Sequence, residues 1–345
     1  MSTLKAARIL FARRLVMRLI APIALSSGTV YALTNNEPNN KWKLRMSAAC
    51  IPKNTDTMDD LKMIPEFKEG ECWLAGEDAS LLGIDKTNAS VMAVADGVGG
   101  WTKRGIDPSK FSFGLVSRMQ ALLQKLGHVT PLALLKESYA RMISDYEKGV
   151  DKPFGSSTAC VVRLTSDGLL QTCNLGDSGF MVLRNEGQEV KTVVRSEAQQ
   201  TRFNCPLQVR LTPEGKYEKE TCELAAYSTY SLSPSHWTSL NRNAILHTGD
   251  IVIVASDGLF DNLYESEIQE IVKEAIREYG PNENGRLAVE LALAANEASL
   301  DKEKQVPFND EGERAGAKKR SGGKPDDISV LVGVIEREDG ELVRQ

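Results

Sequence analysis

Five times along this chain a carboxylate stands at the end of an apolar, strand-like run or in the turn beside it. The five places are Gly76-Glu77-Asp78, Ala95-Asp96-Gly97-Val98-Gly99-Gly100, Leu175-Gly176-Asp177-Ser178-Gly179, Ala255-Ser256-Asp257-Gly258-Leu259-Phe260-Asp261-Asn262 and Gly323-Lys324-Pro325-Asp326-Asp327. Taken singly, each reads as a turn, because Asp-Gly is a frequent turn dipeptide. Taken together they are hard to dismiss as five turns. Asp96 and Asp257 follow apolar strands closely, so their acids sit at a rigid sheet edge instead of a floppy tip. Oxygen donors of this kind suit Mg²⁺ or Mn²⁺, hard cations that keep several of their waters. Two such ions roughly 3.5–4 Å apart can share a hydroxide and clamp a phosphoryl group for in-line attack. Gly97 has no Cβ, which lets the backbone approach an ion and offers its carbonyl as a ligand. Gly99 and Gly100 leave the floor of such a site open.

The elements around these acids follow from periodicity. Ser90–Ala95, Ser157–Leu164, Leu169–Asn174, Phe180–Leu183, Ile251–Ala255 and Ser329–Val334 read as strands. The unbroken apolar run Ile251-Val252-Ile253-Val254-Ala255 is the pattern of a strand covered on both faces. Ser109–Leu126 and Pro131–Lys148 read as two consecutive helices. Glu265–Tyr279 places Ile268, Ile271, Val272, Ala275 and Ile276 on one helical face. Arg286–Leu300 is a fourth helix, rich in Ala and Leu. Strands in groups, with helices in pairs between them, argue for sheets packed between helical layers. Two stretches look inserted: 195–245, polar and without a clear period and read as a flap, and 301–325, read as a surface loop carrying the solvated cluster Lys318-Lys319-Arg320.

The formal net charge of -5 conceals an asymmetry. Residues 1–45 hold Lys5, Arg8, Arg13, Arg14, Arg18, Lys41, Lys43 and Arg45 against Glu37 alone, so the remainder is more acidic than the total implies. An acidic body excludes nucleic acid as the main partner, since phosphate-backbone binding draws on clustered Lys and Arg. The acid-free, amphipathic start to Arg18 has the character of a mitochondrial transit peptide. Leu19–Leu33 is mostly apolar, but it is shorter than the roughly 20 residues of a spanning helix and contains Pro22 and Gly28, so a membrane anchor is disfavoured. A secretory signal is a third reading, disfavoured because no disulfide framework follows. The six cysteines form no C-x-x-C pair and read as free thiols, and three histidines leave little room for an imidazole metal site. The expected organisation is therefore an address over 1–45, a loosely structured lead-in over 46–69, a catalytic body over 70–337 and a short tail over 338–345. The expected location is the mitochondrial matrix.

With Gly155-Ser156-Ser157-Thr158-Ala159, Asn174-Leu175-Gly176-Asp177-Ser178 and Lys324-Pro325-Asp326-Asp327-Ile328-Ser329 in order after the first two acidic motifs, the chain resembles the metal-dependent type 2C protein phosphatases. Ala95-Asp96-Gly97-Val98-Gly99-Gly100-Trp101 is most similar to their mitochondrial branch. The resemblance covers about residues 70–335. It implies an α+β fold, an α-β-β-α sandwich of two central antiparallel sheets flanked by helices. It also implies hydrolysis of phosphoserine and phosphothreonine on phosphorylated mitochondrial proteins, with two Mn²⁺ or Mg²⁺ ions and no phosphoenzyme. Carried over residue by residue, Asp96, Asp257 and Asp326 become the catalytic metal acids, with Asp96 bridging and the Gly97 carbonyl as a ligand. Asp78 is also a metal acid and Glu77 orients bound water around it. Asp177 and Asp261 match positions that hold a weaker third ion in some relatives, and Gly155–Thr158 supports the sheet without a chemical role. Two positions depart from the family pattern. Val98 stands where a proton-donating His is common, a loss that water on a third ion held by Asp177 and Asp261 would offset. Trp73-Leu74-Ala75 stands where a phosphate-gripping Arg is common. A pseudophosphatase that only binds, and a small-molecule phosphatase on the same fold, are the rival readings; a P-loop enzyme is excluded by the missing G-x-x-x-x-G-K-[ST].

Overall fold

A computed structural model describes residues 41–53, 70–232, 245–280 and 283–338. The candidate transit peptide up to Arg18 and the apolar stretch Leu19–Leu33 lie outside the described residues, as does most of the lead-in. Among the described residues, fifteen strands run in order as β1 (Lys41–Ile51), β2 (Cys72–Ala75), β3 (Asp78–Ile84), β4 (Ser90–Asp96), β5 (Gly155–Ser157), β6 (Ala159–Leu164), β7 (Leu169–Leu175) and β8 (Gly179–Asn185), followed by β9 (Val190–Arg195), β10 (Gln200–Arg202), β11 (Cys205–Pro206), β12 (Val209–Leu211), β13 (Ala226–Ser231), β14 (Ile251–Ala255) and β15 (Ile328–Glu338). The helices are α1 (Ser109–Leu123), α2 (Pro131–Glu147), α3 (Asp257–Phe260), α4 (Glu265–Tyr279), α5 (Asn284–Leu300) and α6 (Pro307–Arg314).

Two antiparallel sheets form the centre. One has the order β1-β15-β14-β8-β9 and the other β13-β7-β6-β4-β3-β2. The expected sandwich follows from how each strand divides its side chains. In β14, Ile251, Ile253 and Ala255 face α4 and α5, while Val252 and Val254 face the second sheet. In β4, Val91, Ala93 and Ala95 face α1 and α2, while Met92 and Val94 face the first sheet. Both faces are covered, which is why these strands read as continuous apolar runs. Each such buried Val or Ile contributes about 1.5–3 kcal/mol. All six cysteines are free, as the spacing implied. Among the described residues no helix is long and apolar enough to cross a membrane.

Three boundaries shift. Lys41–Ile51 is not part of an address or a loose lead-in: it pairs with β15 along its whole length, from Lys41 opposite Glu338 to Ile51 opposite Ile328. Its Lys41, Lys43 and Arg45 group with the basic residues of the first 45, which hides the strand, and the partner of Arg45, Glu336, lies 291 residues away. The folded domain therefore already includes Lys41, ahead of the expected start at 70. The described part of 195–245 is not one irregular flap either. β12 pairs with β5, and β13 adds an edge strand to the second sheet through β7. In 301–325, α6 begins on a Pro at its first turn, a position where the missing N–H leaves nothing unsatisfied.

Candidate metal centre

The acids are gathered because the two sheets present their strand ends at one edge. Asp78 opens β3 and Asp96 closes β4, and the register sets them directly opposite each other. β14 ends at Ala255 opposite Val330 of β15, so Asp257, just past one strand, and Asp326, just before the other, share an edge. Asp177 lies in the step from β7 in the second sheet to β8 in the first. That step turns on Gly176, whose φ of +102° and whose Cβ position, 2.7 Å from the Leu207 carbonyl, both require glycine.

Asp96, Asp177 and Asp257 each offer an oxygen within 4.8 Å of the others. Both carboxylate oxygens of Asp78, Oδ1 of Asp177 and Oδ1 of Asp257 are buried without a hydrogen-bond partner among the described residues. A buried carboxylate without compensation costs several kcal/mol. Oxygens left in that state, pointing at one edge, fit a hard divalent cation. The acids also raise one another's proton affinity. Burial first, then Asp327, pushes Asp78 well above the carboxylate range, and burial, then Asp257, does the same to Asp96. Burial and Asp257 push Asp177 up to about 7, and Asp326 is raised by burial and Asp257 as well. Such mutual repulsion is relieved by a cation, which makes the donor set and its electrostatics agree.

Glu77 and Asp261 are placed differently from the rest. Glu77 is half-buried, and its backbone N–H donates to Asp327 Oδ2 at 2.8 Å. A Cβ on Gly99 would lie 2.6 Å from Glu77 Oε2, so Gly99 makes room for that carboxylate. Asp261 accepts from Lys324 Nζ at 2.6 Å and is not in the three-acid cluster with Asp177. Gly97 has a structural reason beyond metal approach: a Cβ there would sit 2.6 Å from the Glu77 carbonyl and 2.9 Å from that of Pro108. Gly100 faces open space.

Several residues hold this arrangement, and apart from Thr158, expected only to support the sheet, none was given a part from sequence. Thr158 Oγ1 accepts from the Asp96 N–H at 3.2 Å and lies 2.7 Å from Ser178 Oγ, so it ties the Asp96 turn to the Asp177 turn. Asp327 accepts from the N–H groups of Lys53 (2.6 Å) and Glu77, fastening the end of β1 to the start of β3. Gly76, with φ of +63°, permits that contact, since a Cβ would lie 1.9 Å from Asp327 Oδ1. Lys324 Nζ reaches Asp257 Oδ2 at 2.5 Å and Asp326 Oδ2 at 3.1 Å as well as Asp261. Lys53 Nζ stands 3.5 Å from Asp326 Oδ1 with nearly half its side chain exposed. The signal for Asp327 was its place as the second acid of a pair ahead of a strand; for Lys324 and Lys53 no local pattern distinguishes them from loop lysines.

Comparison with known proteins bears on the family. A sequence model of the family described as protein phosphatase 2C matches residues 74–293. The chain is 36% identical over 272 residues to the protein phosphatase PTC7 homolog of Homo sapiens, covering 78% of this chain and 82% of that one. It is 35% identical over 268 residues to the PTC7 homolog fig of Drosophila ananassae, covering 76% and 74%. Among solved structures it superimposes on the photosystem II phosphatase PBCP with a TM-score of 0.63 at 24% identity, over 85% of this chain and 99% of that one. At that identity the superposition speaks to the fold alone.

Proposed function

Because the chain belongs to the protein phosphatase 2C family, and is thereby a metal-dependent protein serine/threonine phosphatase, we propose that it cleaves phosphoserine and phosphothreonine on mitochondrial proteins by direct attack of water at a pair of Mn²⁺ or Mg²⁺ ions. When bound, such a pair lowers the pKa of a shared water and stabilises charge on the phosphoryl oxygens. The residues that would hold it are Asp78, Asp96, the Gly97 carbonyl, Asp257 and Asp326. The observation that carries this reading is the set of unpartnered buried oxygens on Asp78, Asp177 and Asp257 at one sheet edge. Thr158 and Asp327 orient the turns that carry these acids, the supporting layer a metal site needs. Glu77, half-buried and held by its backbone, is an acceptor for water at the rim.

Lys53 is an exposed cation beside Asp326 of the cluster. It meets the incoming phosphate dianion from the end of β1, a task for which Trp73 is unfit because its indole donates to Cys50 at 3.1 Å and carries no charge. Beside Asp177 and Asp261 opens a cleft of about 590 Å³ lined by Arg195, Tyr264, Glu311 and Arg314, where residues flanking a phosphoserine would enter. The acid-free basic start to Arg18 supports import into mitochondria. The test is hydrolysis of a phosphothreonine peptide and of p-nitrophenyl phosphate by the full chain with Mn²⁺, Mg²⁺ or chelator. Metal-dependent turnover that is lost in Asp96→Ala and Asp257→Ala is the expected result; turnover in chelator, or none in any metal by a folded chain, overturns the reading.

A further inference from the structure

Lys324 is the feature of the site that a set of metal acids does not call for. Its side chain is only 14% exposed, and its ammonium touches Asp257, Asp261 and Asp326 at once. The placement is built from the backbone outward. Asn262, fully buried, accepts from the Lys324 N–H at 2.8 Å and donates to the Lys324 carbonyl at 2.9 Å, with a further bond to the Gly258 carbonyl at 3.0 Å. The preceding Gly323 has no room for a side chain, since a Cβ would lie 2.0 Å from the Ala298 carbonyl. The Phe308 ring lies 5.1 Å from Nζ on its far side. A backbone clamp and an aromatic face both aim this ammonium inward.

The lysine also sorts the carboxylate oxygens. On Asp257 it takes Oδ2 and leaves Oδ1 without a partner among the described residues. It takes Asp261, while both oxygens of Asp78 and one of Asp177 stay open. Asp78, Asp96, Asp177, Asp257, Asp261 and Asp326 carry six negative charges when ionised; two divalent ions and one ammonium nearly balance them. A third divalent ion beside Asp261 would stand against the ammonium at contact distance, where like charges repel strongly in a water-poor site.

Building on the phosphatase reading above, we propose that Lys324 is a tethered cation that occupies the Asp257–Asp261 side of the cluster and limits this enzyme to two divalent ions. Asp261 is then the counter-ion of Lys324 and not a metal ligand, which departs from the expectation the sequence raised for it.

The test counts ions. The full chain, stripped with chelator, is titrated with Mn²⁺ in a calorimeter alongside Lys324→Met and Asp261→Ala. The expected counts are about two ions for the wild type, about three for Lys324→Met, where the freed Asp261 accepts another, and about two for Asp261→Ala. Three ions in the wild type with one lost in Asp261→Ala would show that metal displaces the lysine, and would overturn the proposal. An unchanged count of two in a folded Lys324→Met would overturn it as well. If Lys324→Met fails to fold, the wild-type and Asp261→Ala counts decide alone. A wild type that binds no Mn²⁺ and cleaves no phosphopeptide defeats the metal-phosphatase reading itself; an active two-ion wild type whose Lys324→Met count does not rise defeats only the lysine's role.

Discussion

Strand β3 carries a buried aspartate at each end, and the two are treated in opposite ways. Asp85, just past Ile84, is fully provided for. Its Oδ2 accepts from Arg163 Nε at 2.8 Å, and its Oδ1 accepts from the Thr87 N–H and hydroxyl and from the Ala89 N–H. Arg163, 1% exposed, is satisfied in turn by Gln171 and Thr87. Burial pulls the Asp85 pKa up, but the bonds from Thr87 and Arg163 outweigh it and the net shift is downward. Asp78, at the other end, is equally buried, yet neither oxygen has a hydrogen-bond partner among the described residues, and burial and Asp327 outweigh nearby Ser256 to drive its pKa well up. The same residue type on the same strand thus serves as structure at one end and as a waiting ligand at the other. The difference lies in what surrounds it: an Arg and two turn N–H groups in one case, other carboxylates in the other.

That contrast can be broken from either end. Asp96→Asn or Asp257→Asn should lower phosphopeptide kcat/KM by about 10³-fold or more, on the order of 4 kcal/mol of barrier, while the chelated variant resists urea at least as well as the wild type. Steady-state kinetics paired with urea melts reads both, and a variant that loses stability in step with activity breaks the contrast. Arg163→Met should do the reverse, leaving the buried Asp85 Oδ2 without its cation at a cost of about 3–5 kcal/mol in urea unfolding, with turnover per folded molecule nearly unchanged. A mild loss would mean that Asp85 finds other partners.

Acidity sharpens the comparison, because the two ends titrate with opposite signs. Asp177 (about 7), Asp78 and Asp96 have folded pKa values above their unfolded ones. Their contribution to stability is present in full below the unfolded value near 4 and is lost as pH rises through the folded value. Asp85, lowered in the fold, contributes above the unfolded value and loses that contribution as pH falls. In chelator the melting temperature should therefore decline from about pH 4.5 to pH 7.5, and Asp177→Asn should flatten the decline. A Tm that climbs steadily over that range would contradict the assignment of these shifts. The smallest expected effect is that of Thr158→Val, which frees the Asp96 N–H and should weaken Mn²⁺ binding about 10-fold with little change in urea stability.

What was legible from the chain followed physical locality. β4, β6, β7 and β14 were visible because burial on both faces leaves an apolar run, and the acids beyond them were visible because a strand end is where rigidity meets solvent. β1 was not, because its Lys41, Lys43 and Arg45 count with the basic residues nearer the N-terminus and its pairing with β15 is a contact across nearly the whole chain. α6 was missed because eight residues with Asn, Gly and four charges carry too little apolar pattern to register. Lys324 was invisible as a site residue for another reason. Between two glycines and a proline it reads as loop, and only the Asn262 clamp, 62 residues away, turns its ammonium toward the acids. Asp261 shows the same limit: a spacing of four from Asp257 places it near the cluster, but what it faces is set by that distant lysine.

The claim on which the rest depends is that Asp78, with one oxygen each of Asp177 and Asp257, is kept without a hydrogen-bond partner among the described residues for the sake of a metal. The most direct measurement is the melting temperature of the full chain at pH 7.5, in chelator and in millimolar Mn²⁺, for the wild type and Asp78→Asn. The account predicts that Mn²⁺ raises the wild-type Tm by several degrees, that Asp78→Asn in chelator melts above the wild type, and that the variant loses most of the metal response. A wild type indifferent to Mn²⁺, or an Asp78→Asn chain that melts lower in chelator and still responds in full, would contradict it.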